Sequence, residues 1–331
     1  MTQTSTHISV DWLSGTQQNA TVVERLGLLA MSTAARVLAR YDGLGMSYVA
    51  QLFSILFPSD RTVCLEIDED LIFCFPYGDK YWSMLLKPGH IYEEEVEDFL
   101  LAMRDVDYVF IDCGANFGYW SAKVSSERFG SRPTIAVELD PSNFKRLLAN
   151  SALNGDRYRC MNLAVFDKDG ETLHFYGKKH EARTVERNIG ATESLGEVSS
   201  ATLDHIVATT EAKAHNTIVL KLDIEGVEIK ALKGAQSLLE KDVLVIYEDH
   251  GNDPNHAVSR YLSEDCGMRL FAQNDNQFFE LGNVGELNRL KTNRRKGYDF
   301  FATQSHFWLD RIAGLVDDRQ STETLGQSVA Q

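Results

Sequence analysis

Three features of this 331-residue chain predict an α/β protein built on an open, mostly parallel sheet with helices on both faces. Apolar runs of strand character recur at residues 108–111, 134–137, 217–222 and 243–247. Each run is followed at once by a carboxylate: Asp112, Glu138, Asp223 and Glu248. Stretches of helical periodicity lie between the runs, and alternation of strands with helices is what produces parallel pairing.

From the amino terminus, residues 1–20 read as flexible, and residues 20–57 read as amphipathic helices carrying Val22, Val23, Leu26, Leu29, Ala30, Ala34, Val37 and Leu38. Such helices pack on the main domain, close over its site, or make a homo-oligomer. Residues 61–77 alternate as a hairpin, with Val63, Leu65 and Ile67 on one arm, Leu71, Phe73 and Phe75 on the other, and Asp68-Glu69-Asp70 turning between them. This hairpin is expected to cap one edge of the main domain. The division expected is therefore an extension over 1–100, a main domain over 101–308 and a polar, disordered tail over 309–331. Within the main domain, Ser142 is the expected N-cap of a helix that Asn154-Gly155 stops. Residues 158–165 read as a third strand, and residues 166–215 form a long insertion suited to shaping an acceptor pocket. Residues 298–302 supply a last, antiparallel strand.

The turn after residue 111 carries the most chemistry. Asp112-Cys113-Gly114-Ala115-Asn116-Phe117-Gly118 leads into a helix start with free N–H groups, and the glycines permit a sharp turn and close approach to a ligand. The dinucleotide fingerprint Gly-x-Gly-x-x-Gly is not met, and Asp112 would face a pyrophosphate. A ligand carrying positive charge, such as S-adenosyl-L-methionine (SAM), fits better. Glu138 falls 24 residues after Gly114, the spacing of an acid that holds ribose hydroxyls. Asn162 and Ala164 lie where an adenine would rest, with an ordinary strand-end role the alternative for Asn162. Asp223, at the end of the strand expected beside the one carrying Asp112, is the main pocket candidate, orienting either the methionine portion of SAM or the acceptor.

Taken in order, Ile111-Asp112-Cys113-Gly114-Ala115-Asn116-Phe117-Gly118, Val137-Glu138-Leu139-Asp140-Pro141-Ser142-Asn143-Phe144, Asn154, Ala164-Val165-Phe166-Asp167, Thr202-Leu203-Asp204 and Lys221-Leu222-Asp223-Ile224-Glu225-Gly226-Val227-Glu228 resemble the FkbM family of SAM-dependent methyltransferases. The resemblance covers roughly residues 88 to 303, and Leu139 stands where the family often has proline. It implies a class I, Rossmann-like fold, SAM as cofactor, Asn143 among the cofactor residues and a role for Glu93. It also implies methylation of a hydroxyl on a sugar, glycan or secondary metabolite. The alternatives are N-methylation on the same fold, a nucleotide-binding oxidoreductase, and a non-catalytic SAM-binding protein.

Methyl transfer to oxygen calls for alignment, exclusion of water and a base. The candidates are Asp223, Glu225 and His250, with Glu248 nearby, and His250 has the most suitable unperturbed pKa. Glu228 is explained by the favourable position of an acid at a helix start. Asp223, Glu248 and Asp249 would suit magnesium, yet acids at strand ends are common in such folds, and no metal is assigned. The net charge of −15 argues against nucleic acid or an anionic membrane as partner. The basic clusters at Lys178-Lys179-His180 and Arg294-Arg295-Lys296 read as solvated surface. Five cysteines without Cys-x-x-Cys spacing are expected to be reduced, and no secretory or membrane-spanning segment is read, so cytoplasmic is the default location.

Overall fold

The computed structural model describes residues 7–185, 193–274, 277–294 and 296–315. The expected flexible start holds a strand instead: β1 (His7–Asp11) has a buried centre and is followed by β2 (Gln17–Gln18). Ile8 and Val10 supply the apolar side of β1, which the mixed composition of the first twenty residues conceals. Helix α1 (Val22–Leu38) starts at a capping box, in which the Thr21 hydroxyl accepts from Glu24 N–H and Glu24 accepts from Thr21 N–H. Helix α2 (Met46–Leu56) follows.

The expected hairpin is present as β3 (Thr62–Asp68) and β4 (Leu71–Pro76), in a four-stranded sheet of order β2-β1-β3-β4. Cys64 and Cys74 are register partners on its two arms and are joined by a disulfide, which corrects the expectation of reduced cysteines. Spacing motifs cannot reveal this pair, because a hairpin turn brings the two residues together across strands.

The main domain contains α3 (Glu94–Ala102), β5 (Val109–Cys113), α4 (Tyr119–Val124), β6 (Thr134–Val137), α5 (Pro141–Leu153) and β7 (Tyr158–Met161). A small sheet of β8 (Ala164–Val165), β9 (Thr172–Phe175) and β10 (Gly196–Ala201) interrupts the series, so the single strand expected over 158–165 is two strands in different sheets. Then come α6 (Leu203–Thr209), β11 (Thr217–Leu222), α7 (Glu228–Lys233), β12 (Asp242–Glu248), β13 (Arg269–Asn274), β14 (Gln277–Glu280) and β15 (Asp299–Thr303). The N-cap of α5 is Asp140, not Ser142, because Pro141 takes the first helical position and leaves the capping role to the residue before it.

The main sheet has the order β14-β13-β15-β12-β11-β5-β6-β7. Pairs β12·β11, β11·β5, β5·β6 and β6·β7 are parallel, and β15 runs antiparallel between β12 and β13. This is the expected Rossmann-like sheet. Successive strands leave β5 toward β7 on one side and resume at β11 on the other, so the order reverses between β5 and β11. In open α/β sheets a ligand crevice forms at that point.

Alternate strand residues feed two cores. Phe110, Val219, Leu244 and Phe301 join Phe73, Phe75, Phe117 and Trp82 of the extension and the glycine turn. Ile111, Leu220, Val245 and Phe300 face the other way. The extension is thus continuous with one face of the main sheet. It docks on α5 rather than on a sheet edge, since Asn150 and Asn154 hydrogen-bond the β4 backbone at Cys74 and Ile72. Residues 306–315 are helical with Trp308 and Ile312 buried, so the boundary expected at 308 falls inside a packed helix. The remaining expected tail, residues 316–331, lies outside the described residues.

Candidate active site

Strand β5 delivers the glycine turn to the reversal. Gly114 has φ +84°, and a Cβ there would lie 1.8 Å from the carbonyl oxygen of Asp223, at the end of neighbouring β11. Asn116 also takes a left-handed conformation, φ 52°. Its backbone N–H donates to Glu138 Oε2 at 2.8 Å, and its side-chain oxygen receives the Trp82 indole at 3.2 Å. Gly118 serves helix packing instead, since a side chain there would strike Leu147 of α5 at 2.5 Å. Asp112 is buried beneath the turn and accepts from the Ser121 hydroxyl at 2.5 Å. Burial raises its carboxyl above the usual range, with Lys221 opposing.

Glu138, ending β6, accepts the N–H groups of Asn116 and Asp140, each at 2.8 Å. Burial still pushes its carboxyl up to about 8. Around it lies a narrow cleft lined by Gly114, Asn116, Leu163, Ala164, Arg183, Asp223 and Glu225 among others. Asn162 does not line this cleft. Its amide donates to the carbonyls of Glu138 (2.7 Å) and Leu139 (3.0 Å) and braces the turn that carries Glu138. Asn143 stands behind Glu138, with its amide 2.8 Å from the His180 carbonyl oxygen.

The ends of β11 and β12 hold a second group of charges. Buried Lys221 reaches Asp223 (3.1 Å) and Glu93 (3.4 Å), and Glu93 also accepts the Trp120 indole at 2.7 Å. His250 Nε2 lies 3.1 Å from Glu248 and 3.5 Å from Glu225. The hydrogen bond that His250 donates to Glu225, together with the charge of Glu248, raises the imidazole to about 9. His250 therefore carries a proton at neutral pH, which corrects the expectation of a near-neutral pKa. Asp249, one residue beyond Glu248, points to the opposite side and is consumed by Lys291 and the Ser259 hydroxyl. Glu225, Glu248 and His250 instead bring potential ligand atoms within 4.8 Å of one another. Glu228 caps its own turn, accepting from Gly226 N–H at 3.0 Å.

Sequence reasoning missed the closing residues. His180, read as solvated surface, stacks on Phe117 with ring centroids 4.8 Å apart and meets Asp79 at 3.0 Å. Arg183 pairs with Asp140 at 2.8 Å. The extension and the long insertion thus meet above the glycine turn. Only the length of the insertion signalled this. Lys221 was visible as a lysine inside an apolar strand, an unusual place for a charge.

Residues 112–270 match the methyltransferase FkbM domain family. That segment is just under half of the chain. The FkbM match begins at the end of β5 and stops within β13, so the extension, Glu93 and β15 lie outside it. The hexuronic acid methyltransferase AglP of Haloferax volcanii is 28% identical over 173 residues, which are 52% of this chain and 68% of that protein. Similar solved structures include a methyltransferase FkbM from Methylobacillus flagellatus KT, 14% identical, with a TM-score of 0.38. The likeness covers 83% of this chain and 59% of that one. Another is TYW2 of P. horikoshii in complex with MeSAdo, 12% identical, covering 78% of this chain and 83% of that one, with a TM-score of 0.37. Among the described residues, no helix is long and apolar enough to cross a membrane.

Proposed function

We propose that the chain transfers a methyl group from SAM to a hydroxyl oxygen on a sugar, glycan or secondary metabolite. The observation that carries this reading is one cleft at the strand-order reversal that gathers the Gly114 backbone and the Glu138 and Asp223 carboxyls. Its lining suits the cofactor part by part. Val137, Leu139, Leu163, Ala164 and Val165 offer an apolar surface for a purine. Glu138 presents a carboxyl to the ribose hydroxyls, and Asp223 places negative charge near a cationic sulfur and amine, while Asp112 braces the turn from beneath. Asn143 and Asn162 act by holding Glu138 and its turn, while Gly118 sets the helix behind the loop. When bound, SAM supplies a methyl group on positively charged sulfur, leaving as S-adenosylhomocysteine once the acceptor oxygen has taken the methyl.

On the acceptor side, His250 donates its Nε2–H to Glu248 and Glu225, which orient the ring, and takes the hydroxyl proton on Nδ1. Its neutral form is required, so transfer accelerates as pH rises toward about 9. Asp223 aligns the acceptor against the donor at the reversal. His180, Phe117 and Asp79 cover the cleft and exclude water. The relative's name supports a saccharide acceptor. The cytoplasmic reading meets an opposing observation in the Cys64–Cys74 disulfide, since disulfides persist mainly in oxidising compartments.

The test is calorimetric titration of SAM and S-adenosylhomocysteine into the parent and Glu138→Ala. Micromolar binding lost in the variant is the expected result. A folded parent that binds neither compound would overturn the reading.

A further inference from the structure

A second, open cleft lies at the start of β15 and the end of β13, at the carboxyl end of the parallel strands. Glu94, Glu95, Gln273, Lys296, Tyr298 and Asp299 contribute to its wall. Asp299, the first residue of β15, is the register partner of Glu248, the last residue of β12. The antiparallel course of β15 is what brings the start of one strand beside the end of the other. Asp299 therefore stands where the second cleft adjoins the charges around His250.

Asp299 is only 9% exposed. Among the described residues, no donor hydrogen-bonds to its carboxylate, and no cation comes within ion-pairing distance. A buried carboxyl that no protein group satisfies is costly, and such groups are rare in native structures. Burial pushes the Asp299 carboxyl well above the usual range, and Glu93, Glu95 and Glu248 push the same way against Lys221. Nearby cations are already engaged: Lys221 with Asp223 and Glu93, His250 with Glu225 and Glu248. Lys296 is exposed and lies over the Tyr298 ring, 5.3 Å from its centroid.

We propose that this cleft seats the acceptor and that the acceptor group meeting Asp299 is a protonated amine, as on an amino sugar. The proposal rests on the methyltransferase reading of the first cleft and names the substrate class of that site. An ammonium supplies the donor and the charge that Asp299 lacks, and such charge-assisted hydrogen bonds are about twice as strong as neutral ones. A hexuronate would add a negative charge among Glu93, Glu95, Glu248 and Asp299. Magnesium demands near-ideal octahedral geometry and gives up its waters reluctantly, and Glu248 is committed to His250.

The experiment uses the full chain saturated with S-adenosylhomocysteine. Binding of methyl glucosaminide, methyl glucoside and methyl glucuronide is measured by ligand-observed NMR at pH 7, with and without magnesium chloride. The expected order is the amine about tenfold tighter than the neutral glycoside, with the uronide weakest. Asp299→Asn should erase the preference for the amine without changing S-adenosylhomocysteine affinity. Glu95→Gln, at a partly exposed position, should reduce it in the same direction should the first variant fold poorly. Equal binding of amine and neutral glycoside, preference for the uronide, no glycoside binding, or displacement of the amine by magnesium would each overturn the proposal. Retained S-adenosylhomocysteine binding in any of these outcomes leaves the cofactor reading standing, whereas its loss in the parent removes that reading first.

Discussion

Gly114 and Asp223 touch through their backbones: a methyl group on Gly114 would lie 1.8 Å from the Asp223 carbonyl oxygen. The two residues end adjacent parallel strands at the reversal, so this contact sets the width of the crevice. Gly114→Ala should therefore both strain the backbone and push β5 and β11 apart at their ends. Gly155 provides the control, because it has φ +70° and a methyl group added there would meet nothing within 4 Å. Gly155→Ala should cost about 1–3 kcal/mol from conformation alone. Gly114→Ala should cost more and also abolish SAM binding, read by denaturant titration and calorimetry. Equal effects in the two variants would show that the close approach does not shape the cleft.

His250 gives a pH signature. Its folded value, about 9, lies above the ordinary 6.5, so the folded state holds its proton more tightly than the unfolded state. The stability it contributes is fully present below about 6.5 and is lost as pH rises through about 9. The melting-temperature difference between the parent and His250→Ala should be largest at pH 6 and vanish near pH 10. Turnover should move oppositely, rising with pH in the parent and losing that basic limb in the variant. A parent turnover profile flat from pH 7 to 9.5 would exclude His250 as the base.

Asn150 couples the extension to the glycine turn. Its oxygen accepts from Cys74 N–H at 2.9 Å, and its amide donates to the carbonyls of Cys74 (3.0 Å) and Phe117 (2.8 Å). Asn150→Ala leaves three buried backbone groups unsatisfied, at about 1–3 kcal/mol each before relaxation. Loss of stability together with weaker SAM binding is expected. Weaker stability with unchanged SAM affinity would confine Asn150 to docking the hairpin.

The disulfide can be counted chemically. Without reductant, the denatured chain should expose three thiols, from Cys113, Cys160 and Cys266, and reduction should raise the count to five. Five thiols before reduction would restore the reading of a chain kept in a reducing compartment.

Helices α1 and α2 leave Leu26, Leu29, Val37, Tyr48, Leu52 and Ile55 exposed, and α2 carries no charged residue in a chain of net charge −15. A second copy of the chain is the proposed occupant. Light scattering should report a dimer that dissociates in Leu29→Glu and Ile55→Glu, and a monomeric parent would remove the proposal.

The sequence by itself determined the alternation of strands and helices, the glycine turn and the acids at strand ends, because each is a local pattern. Asp112, Gly114, Glu138 and Asp223 were legible for that reason. Only the tertiary structure decided that Asp112 lies under the turn rather than in the cleft, that Asn162 braces Glu138, and that His180 closes over Phe117. It also decided the pairing of Cys64 with Cys74, the proton on His250 and the isolation of Asp299. Each of these depends on neighbours distant in sequence, and burial and charge acquire their values only when the chain brings those neighbours together.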